Sequence, residues 1–388
     1  MKKIVVAADS FKGSLSSREI ATIVAEAVSD VFPDCLTVCL EMADGGEGTI
    51  DALCRALEGS RIEVTVSNPL GKPVVAEYAI VNVPGEGTTA VIEMSKASGL
   101  TLIPEGLRNP LLTTTFGTGE LILDALGRGC KHFLIGIGGS ATNDGGIGML
   151  AALGWRFQDS DGNELPPVGA SLGKINSIDS SGRNPALEGC SFVTACDVDN
   201  PFCGPDGAAF VFAPQKGAGP EEVLLLDKGL ESFSSVILEC TGVDVKEIPG
   251  AGAAVGLGGA LLAFLGAKLT PGAEMVLDAI GFDAQAEGAD LVITGEGRMD
   301  FQTLKGKAPL CVLHHATRLG IPTVSLAGIV TDYDLLKDLG YKDILCINPP
   351  GLPPETAMQP AVARHNLSAT VIDYLSEHLG ATDGPFPG

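Results

Sequence analysis

The sequence predicts an α/β protein in which a doubly wound, parallel-sheet domain built from both chain ends is interrupted by a second, mixed α/β domain. Three observations carry this expectation. Short, wholly apolar strands alternate with amphipathic helices over the first sixty residues and again over the last hundred, the rhythm of a parallel sheet. Between these ends, three strand-like runs follow one another without helices, which is the pattern of antiparallel pairing. The chain is 388 residues long, beyond the roughly 250–300 residues at which one hydrophobic core stops growing.

The elements follow in order. Ile4–Ala8 is a short apolar strand of the kind buried on both faces of a parallel sheet. Ser16-Ser-Arg-Glu19 reads as a capping box, and Ile20, Val24 and Val28 recur at helical spacing behind it. Leu36–Leu40 is a second strand and Thr49–Leu57 a second helix. Residues 62–94 hold the three successive strands, with turns at Asn68-Pro-Leu-Gly71 and Pro84-Gly-Glu-Gly87. Helices are expected at about 118–127, 146–151, 222–239 and 252–265, and strands near 132–136, 192–196 and 209–212. The closing part reads as strand Leu291–Thr294, helix Pro309–Arg318, strands Thr323–Ala327 and Ile344–Ile347, helix Leu367–Leu379, and a tail rich in Gly and Pro. The expected domains are therefore 1–65 plus 282–388, and 66–281 inserted between them. An active site is expected in the cleft between two such domains.

Composition narrows the partners. Asp and Glu number 48 against 25 Lys and Arg, a formal charge of −23. Such a surface repels phosphate backbones, and aromatic residues are only 5% of the chain, too few for base-stacking platforms, so no nucleic-acid partner is expected. An anionic small substrate then requires local cations or a metal to overcome the general field. The ten cysteines form no CxxC pair and no zinc-like cluster; they read as reduced core thiols of a cytoplasmic protein. The N-terminal apolar stretch meets Asp9 after a few residues and reads as a strand, and no apolar run approaches the roughly 18 residues of a membrane span. Oligomeric state has no signature here.

The chemistry is concentrated in loops. Gly71-Lys72, Gly173-Lys174 and Gly306-Lys307 all lack the remainder of a Walker A loop. The strand His132–Ile135 runs into Gly136-Ile-Gly138-Gly139-Ser140-Ala141, which invites a dinucleotide reading with Asp159 as the ribose carboxylate. Asn143-Asp-Gly-Gly146 puts poor helix formers where the phosphate-binding helix of that motif belongs. The segment reads better as an extended anion nest ending in a helix N-terminus, with Gly138, Gly139, Ser140, Asn143, Asp144 and Gly145 as phosphate-binding candidates. Asp44-Gly-Gly-Glu-Gly48 repeats the Asp-Gly-Gly-x-Gly pattern of residues 144–148. Each copy alone is a turn with an Asp cap; as a pair they suggest backbone cradles through Gly45 and Gly46, with carboxylates within reach of a metal.

Lys12, in Asp9-Ser-Phe-Lys-Gly-Ser14, follows the first strand at the end where open α/β sheets bind ligands. Thr294-Gly-Glu-Gly-Arg-Met-Asp-Phe-Gln-Thr-Leu-Lys-Gly-Lys307 packs carboxylates and cations into one loop. Arg298 suits a carboxylate or phosphate, Lys307 a phosphate, and Glu296 or Asp300 a magnesium ion or the proton of an attacking hydroxyl. Asp197 and Asp199, after the strand near 192–196, are metal ligands or Asx-turn residues. Lys216 in Pro214-Gln-Lys-Gly217 reads as surface, and the histidines show no partner spacing.

Together and in this order, these loops resemble the glycerate kinase family. The matching segments are Asp9–Ser14, Ala43–Thr49, Asn109-Pro-Leu-Leu-Thr-Thr-Thr115 with Gly117-Thr-Gly-Glu120, Gly136–Gly146, Cys196-Asp-Val-Asp-Asn-Pro201, residues 204–208, Pro214–Gly217 and Thr294–Lys307. The resemblance implies a flavodoxin-like domain interrupted by a second α/β domain, and ATP-dependent, Mg²⁺-dependent phosphorylation of D-glycerate in the cytoplasm. On this reading Lys12 and Arg298 neutralise the glycerate carboxylate and the moving phosphoryl group. One carboxylate among Asp44, Asp197, Glu296 and Asp300 orients the hydroxyl and another binds the metal, with Asp197 and Glu296 as the expected metal ligands. Two departures stand out: Val255 and Cys311 occupy positions where the family tends to carry glycine. A sugar-acid sensor without turnover and an NAD-dependent dehydrogenase using residues 136–141 are the rival readings.

Overall fold

The computed structural model describes residues 1–46 and 48–378; Glu47, Leu379 and the Gly- and Pro-rich tail lie outside the described residues. The chain divides into two compact units, one of Met1–Asp44 with the chain from Val276 onward, the other of Gly45–Met275. The helix Thr49–Ala56 and the strand Ser60–Ser67 go with the second unit. In chain order the strands are β1 (Lys3–Ala8), β2 (Leu36–Cys39), β3 (Ser60–Ser67), β4 (Pro73–Val83), β5 (Gly87–Glu93), β6 (His132–Gly136) and β7 (Arg156–Gln158). They continue with β8 (Ser177–Asp179), β9 (Ser191–Ala195), β10 (Lys268–Thr270), β11 (Leu291–Met299), β12 (Thr323–Val330) and β13 (Asp343–Cys346).

The first unit is a five-stranded sheet of order β13-β12-β11-β1-β2, with every pairing parallel. Numbered within the unit, this is the 2-1-3-4-5 order of a flavodoxin-like sheet. From β1 the chain winds one way to β2, and from β11 the other way to β12 and β13, so the sheet's switch point lies between β1 and β11. Ile4, Val6, Ala8, Leu291, Ile293, Val324 and Leu326 form one core layer with the helices Ser17–Val31 and Pro360–His378. The alternation of these positions is the two-residue period of a strand. The opposite face is covered in part by Ala308–Arg318, through Leu310 and Leu313 against Met299 and Ala327. Ser17–Val31 starts where expected, with the Ser16 side chain and Glu19 closing a capping box.

The second unit carries a six-stranded sheet of order β10-β9-β6-β5-β4-β3 and a two-stranded β7-β8 ribbon. β3, β4 and β5 pair antiparallel, as the helix-free run predicts, while β5, β6, β9 and β10 are parallel. Phe133 on β6 stacks on Phe192 of β9 at 4.6 Å between ring centroids.

Several expectations are corrected. The apolar run near 209–212 is a helix, Ala208–Phe212, because the Val211 amide bonds back to the Gly207 carbonyl and the Ala213 amide to that of Ala209. Five apolar residues have no period that separates strand from helix. The helix expected over 252–265 is confined to Leu257–Leu265. Ahead of it Ala254 and Val255 are left-handed, at φ 48° and 53°, a conformation that β-branched residues rarely adopt. Val255 therefore stands in a backbone that favours glycine, whereas Cys311 is accommodated inside Ala308–Arg318, where its thiol donates to the Gly306 carbonyl at 3.2 Å. Finally, β11 runs five residues past Thr294: Glu296 pairs with Ala327 and Arg298 with Ile329. Glu296 and Arg298 are strand residues and not part of a loop.

Candidate functional site

In the first unit the site grows from the carboxyl ends of β1, β2 and β11. Ala8 is the partner of Gly295, and the Asp9 amide donates to the Gly295 carbonyl at 2.8 Å, so Asp9 leaves the sheet beside Glu296. The Ser10 amide donates to the Asp9 carboxylate at 2.7 Å. Residues 11–15 then close a tight loop through reciprocal Phe11–Leu15 backbone bonds, both side chains being anchored in the core. This loop lies over Gly297, where a Cβ would meet Phe11 Cα at 3.3 Å and Lys12 N at 3.4 Å. The missing side chain at 297 is what lets the loop cross β11 and set Lys12 at its tip.

Lys12 Nζ reaches Asp44 Oδ2 at 3.0 Å. The segment that carries Asp44 is held by Ser17, whose hydroxyl donates to the Ala8 carbonyl at 2.7 Å and accepts the Met42 amide at 2.8 Å. Glu296 is buried; its Oε1 accepts the Thr303 hydroxyl at 2.7 Å and its Oε2 faces Lys307 Nζ at 3.1 Å. Arg298 Nε lies 3.1 Å from Asp300 Oδ2. Asp300 also caps the turn Phe301–Lys305 by accepting the Gln302 amide at 2.8 Å.

The charges perturb one another. Burial pushes the Asp9 carboxyl up to about 6, with the fields of Asp44 and Glu296 adding to the rise and those of the Ser10 amide and Lys12 opposing it. Burial likewise raises Glu296 despite Thr303 and Lys307. The Asp44 carboxylate holds the Lys12 ammonium above its ordinary value. Three carboxylates and two lysines thus converge on the switch point of a parallel sheet, where open α/β sheets bind ligands. Asp9 was not among the residues singled out from the sequence, although it is the first polar residue after a wholly apolar strand.

The second unit has its own rim. Gly45 adopts φ +79°, and a Cβ there would lie 2.3 Å from Ala195 Cβ and 2.8 Å from Gly272 Cα. A Cβ on Gly136 would lie 2.0 Å from the Gly45 carbonyl oxygen, and one on Gly138 3.7 Å from Gly46 Cα. The Gly45–Gly46 turn therefore runs across the ends of β6 and β9, beside Gly138. Asp197 accepts the Gly272 amide at 2.9 Å at the start of the helix Gly272–Ala279.

Beyond β6 only Gly138 and Gly139 are exposed; Ser140, Asn143, Asp144 and Gly145 are buried. Asp144 accepts the Thr115 amide at 2.7 Å and hydroxyl at 2.8 Å, the Gly146 amide at 3.2 Å and the Gly148 amide at 3.1 Å. Its carboxylate is consumed in holding its own loop and turned away from solvent, which corrects its reading as a ligand-facing or metal-holding group. Gly145 faces Leu172 and Phe233, where a Cβ would lie at 3.1 and 3.2 Å, so it too serves packing. The helix after this loop starts only at Ile147, so the tight strand-turn-helix of a dinucleotide site does not form. Lys216, expected at the surface, is 2% exposed, and its ammonium donates to Ser140 Oγ at 2.6 Å and to the Thr142 carbonyl at 2.8 Å. No local sequence signal announces that burial, because packing from distant segments sets it.

Fold and rim together define a class: an α/β enzyme with a flavodoxin-like parallel sheet whose carboxyl rim carries the candidate site. Within that class the chain belongs to the glycerate kinase family, whose sequence profile matches residues 4–376. It is 48% identical over 330 residues to a glycerate 2-kinase of Escherichia coli (strain K12), covering 85% of this chain and 86% of the relative. It is 46% identical over 360 residues to a glycerate kinase of Bacillus subtilis (strain 168), covering 92% and 94%. A crystal structure described as a glycerate kinase 2 from Salmonella typhimurium LT2 superposes with a TM-score of 0.85 at 43% identity, covering 97% of each chain. Among the described residues no helix is long and apolar enough to cross a membrane.

Proposed function

We propose that this protein is a cytoplasmic glycerate kinase that transfers the terminal phosphoryl group of ATP to D-glycerate. The observation that carries the reading is the cluster of Asp9, Lys12, Asp44 and Glu296 at the switch point of the first sheet, in a chain of this family. The E. coli relative is named a glycerate 2-kinase, and on that ground the 2-hydroxyl is the proposed acceptor.

Transfer of this kind depends on positioning and on charge neutralisation more than on covalent chemistry. Lys12 and Arg298 neutralise the glycerate carboxylate and the moving phosphoryl group. Asp9 accepts the proton of the attacking hydroxyl, since a carboxylate whose affinity for a proton is raised toward neutrality suits a general base. Asp300 and Lys307 hold Arg298 and Glu296 in place. In the second unit the amides of Gly45, Gly46, Gly138 and Gly139, with the Ser140 hydroxyl, hold the ATP phosphates as a nest of backbone donors.

Two of these carboxylates suit a magnesium ion. Asp44 and Glu296 offer hard oxygens, and Mg²⁺ binds through one or two carboxylates with waters filling the rest of its shell. Asp44 and Glu296 would hold it. Bound Mg²⁺ supplies charge compensation for the phosphates.

The test is incubation with ATP, Mg²⁺ and D-glycerate, followed by phosphorus NMR of the product. A 2-phosphoglycerate signal that requires all three is the expected result. The 3-phosphoglycerate signal would move the acceptor to the other hydroxyl, and no product from folded protein would end the kinase reading.

A further inference from the structure

The three rim cations Lys12, Lys307 and Arg298 each sit against a carboxylate. Lys216 does not. Both hydrogen-bond acceptors of its ammonium are neutral, and among the described residues no carboxylate oxygen lies within the 4.0 Å of an ion pair. The field of Asp144 reaches it, but that carboxylate already accepts bonds from Thr115, Gly146 and Gly148. Burial pushes the Lys216 ammonium down to about 7, with Asp144 pulling the other way. A buried charge without a counter-ion costs several kcal/mol, and folds keep such costs where the charge is used.

A second observation points the same way. Asn143 is fully buried, and neither its Oδ1 nor its Nδ2 has a hydrogen-bond partner; the neighbouring Thr142 hydroxyl also has none. Buried amides are nearly always satisfied. The ammonium without a counter-ion and the unpartnered amide and hydroxyl all lie on or against one loop, whose exposed portion is Gly138–Gly139.

We propose that Lys216 is a positioning residue that holds the Gly138–Ser140 turn through Ser140 and the Thr142 carbonyl, and supplies the counter-charge for an anionic oxygen bound on that turn. Asn143 and Thr142 are the hydrogen-bonding groups that the ligand-bound state completes. The anion is a phosphate of ATP; a carboxylate offers the same chemistry. The inference rests on the reading of this turn as the phosphate-holding element.

The experiment titrates the full chain with Mg²⁺ and AMP-PNP, and separately with D-glycerate, by calorimetry, and records melting of the free protein. Three variants are compared with the parent: Lys216→Met, Ser140→Ala and Gly138→Asp. The last is accepted by the backbone, because a Cβ at 138 meets nothing closer than 3.7 Å, and it puts a negative charge on the turn. Lys216→Met should bind AMP-PNP about tenfold or more weakly, as expected for removal of a charged group near a bound anion, while the free protein melts no lower than the parent. A merely structural lysine would give the reverse pattern, lower melting with unchanged affinity, and that result overturns the proposal. So does parental affinity for both ligands. Weakened glycerate binding in place of AMP-PNP keeps the counter-charge and makes the anion the carboxylate. If Lys216→Met does not fold, Ser140→Ala is read for the same loss. Parental AMP-PNP affinity in Gly138→Asp would remove the turn from phosphate binding, whatever Lys216 does. Weakened AMP-PNP binding in the variants of a parent that makes no phosphoglycerate would end the kinase reading and leave the anion site standing.

Discussion

Replacing Asp9 by Asn should stabilise the metal-free protein at neutral pH and abolish its activity. The Asp9 carboxyl is raised from 3.8 to about 6, chiefly by burial. The folded state therefore binds the proton more tightly than the unfolded chain. The stability this contributes is complete below pH 3.8 and is lost as the pH rises through about 6. Asn mimics the protonated form at every pH. The two proteins should have similar stability in acid, and the variant should lead by about 3 kcal/mol at pH 8, since each tenfold gain in proton affinity is worth about 1.36 kcal/mol. Between about pH 5 and pH 8 the gap should widen by about 1–2 kcal/mol, because at the lower pH roughly half of the difference is already expressed.

Melting of both proteins in EDTA across that range reads the effect. A widening of about 3–6 °C is expected for a cooperative unit of this size. In the parent, kcat/KM should fall on the acid side as Asp9 takes up its proton, and the variant should retain no comparable limb. A constant gap between the melting temperatures, or an Asn variant with parental kcat, would refute both the burial argument and the role given to Asp9.

Arg298→Ala should lower kcat/KM by about a hundredfold or more, the scale for losing one charged donor to a transition state; near-parental steady-state kinetics would remove Arg298 from the mechanism. Gly45→Ala should destabilise the protein by about 2–5 kcal/mol, since it joins left-handed strain to a contact of 2.3 Å with Ala195; an unchanged urea midpoint would refute the packing described for that turn. Val255→Gly should be nearly neutral, within about 1 kcal/mol, because relief of about 1–2 kcal/mol of left-handed strain offsets the loss of a buried side chain; a loss of several kcal/mol in denaturant titration would show that the strain is not there.

Much of this was legible in the sequence, and for physical reasons. Ile4–Ala8 reads as a doubly buried strand because no polar residue interrupts it, and the Ser16–Glu19 box announces the next helix through local hydrogen bonds alone. Lys12 was legible as a candidate because it follows a short apolar strand, at the end where a parallel sheet binds, and Asp44 because its Asp-Gly-Gly-x-Gly pattern recurs at residues 144–148. What resisted reading depends on contacts made by distant segments. β11 continues past Thr294 because β12 pairs with its Gly-rich end, and residue propensities would have stopped it there. The two Asp-Gly-Gly-x-Gly copies look alike as text, yet Asp44 meets Lys12 at a half-exposed rim while Asp144 is closed around by Thr115 and its own helix start. Lys216 is the extreme case: a three-residue turn between Pro214 and Gly217 gives no hint of its burial.

That difference bears on how a chain of charge −23 holds an anion. Lys12, Arg298 and Lys307 are each matched by a carboxylate a few ångströms away, so in the free protein little net positive field is left at the first rim. Lys12 and Arg298 are also largely exposed, at 76% and 61% of their side-chain surface, where ions in solution screen them. These cations fit a task in which charge is redistributed during a reaction: each can exchange a carboxylate partner for a substrate oxygen at little net cost. Lys216 is the opposite kind of cation. It is shielded from salt and bonded to neutral acceptors, and burial lowers it to about 7, so an anion bound nearby draws its proton on and completes its charge. A charge held where water is excluded acts most strongly on such an anion. A division therefore follows from burial alone: the cations of the first rim are paired and exchangeable, whereas Lys216 lies behind a backbone turn and gains its full charge with the anion it meets.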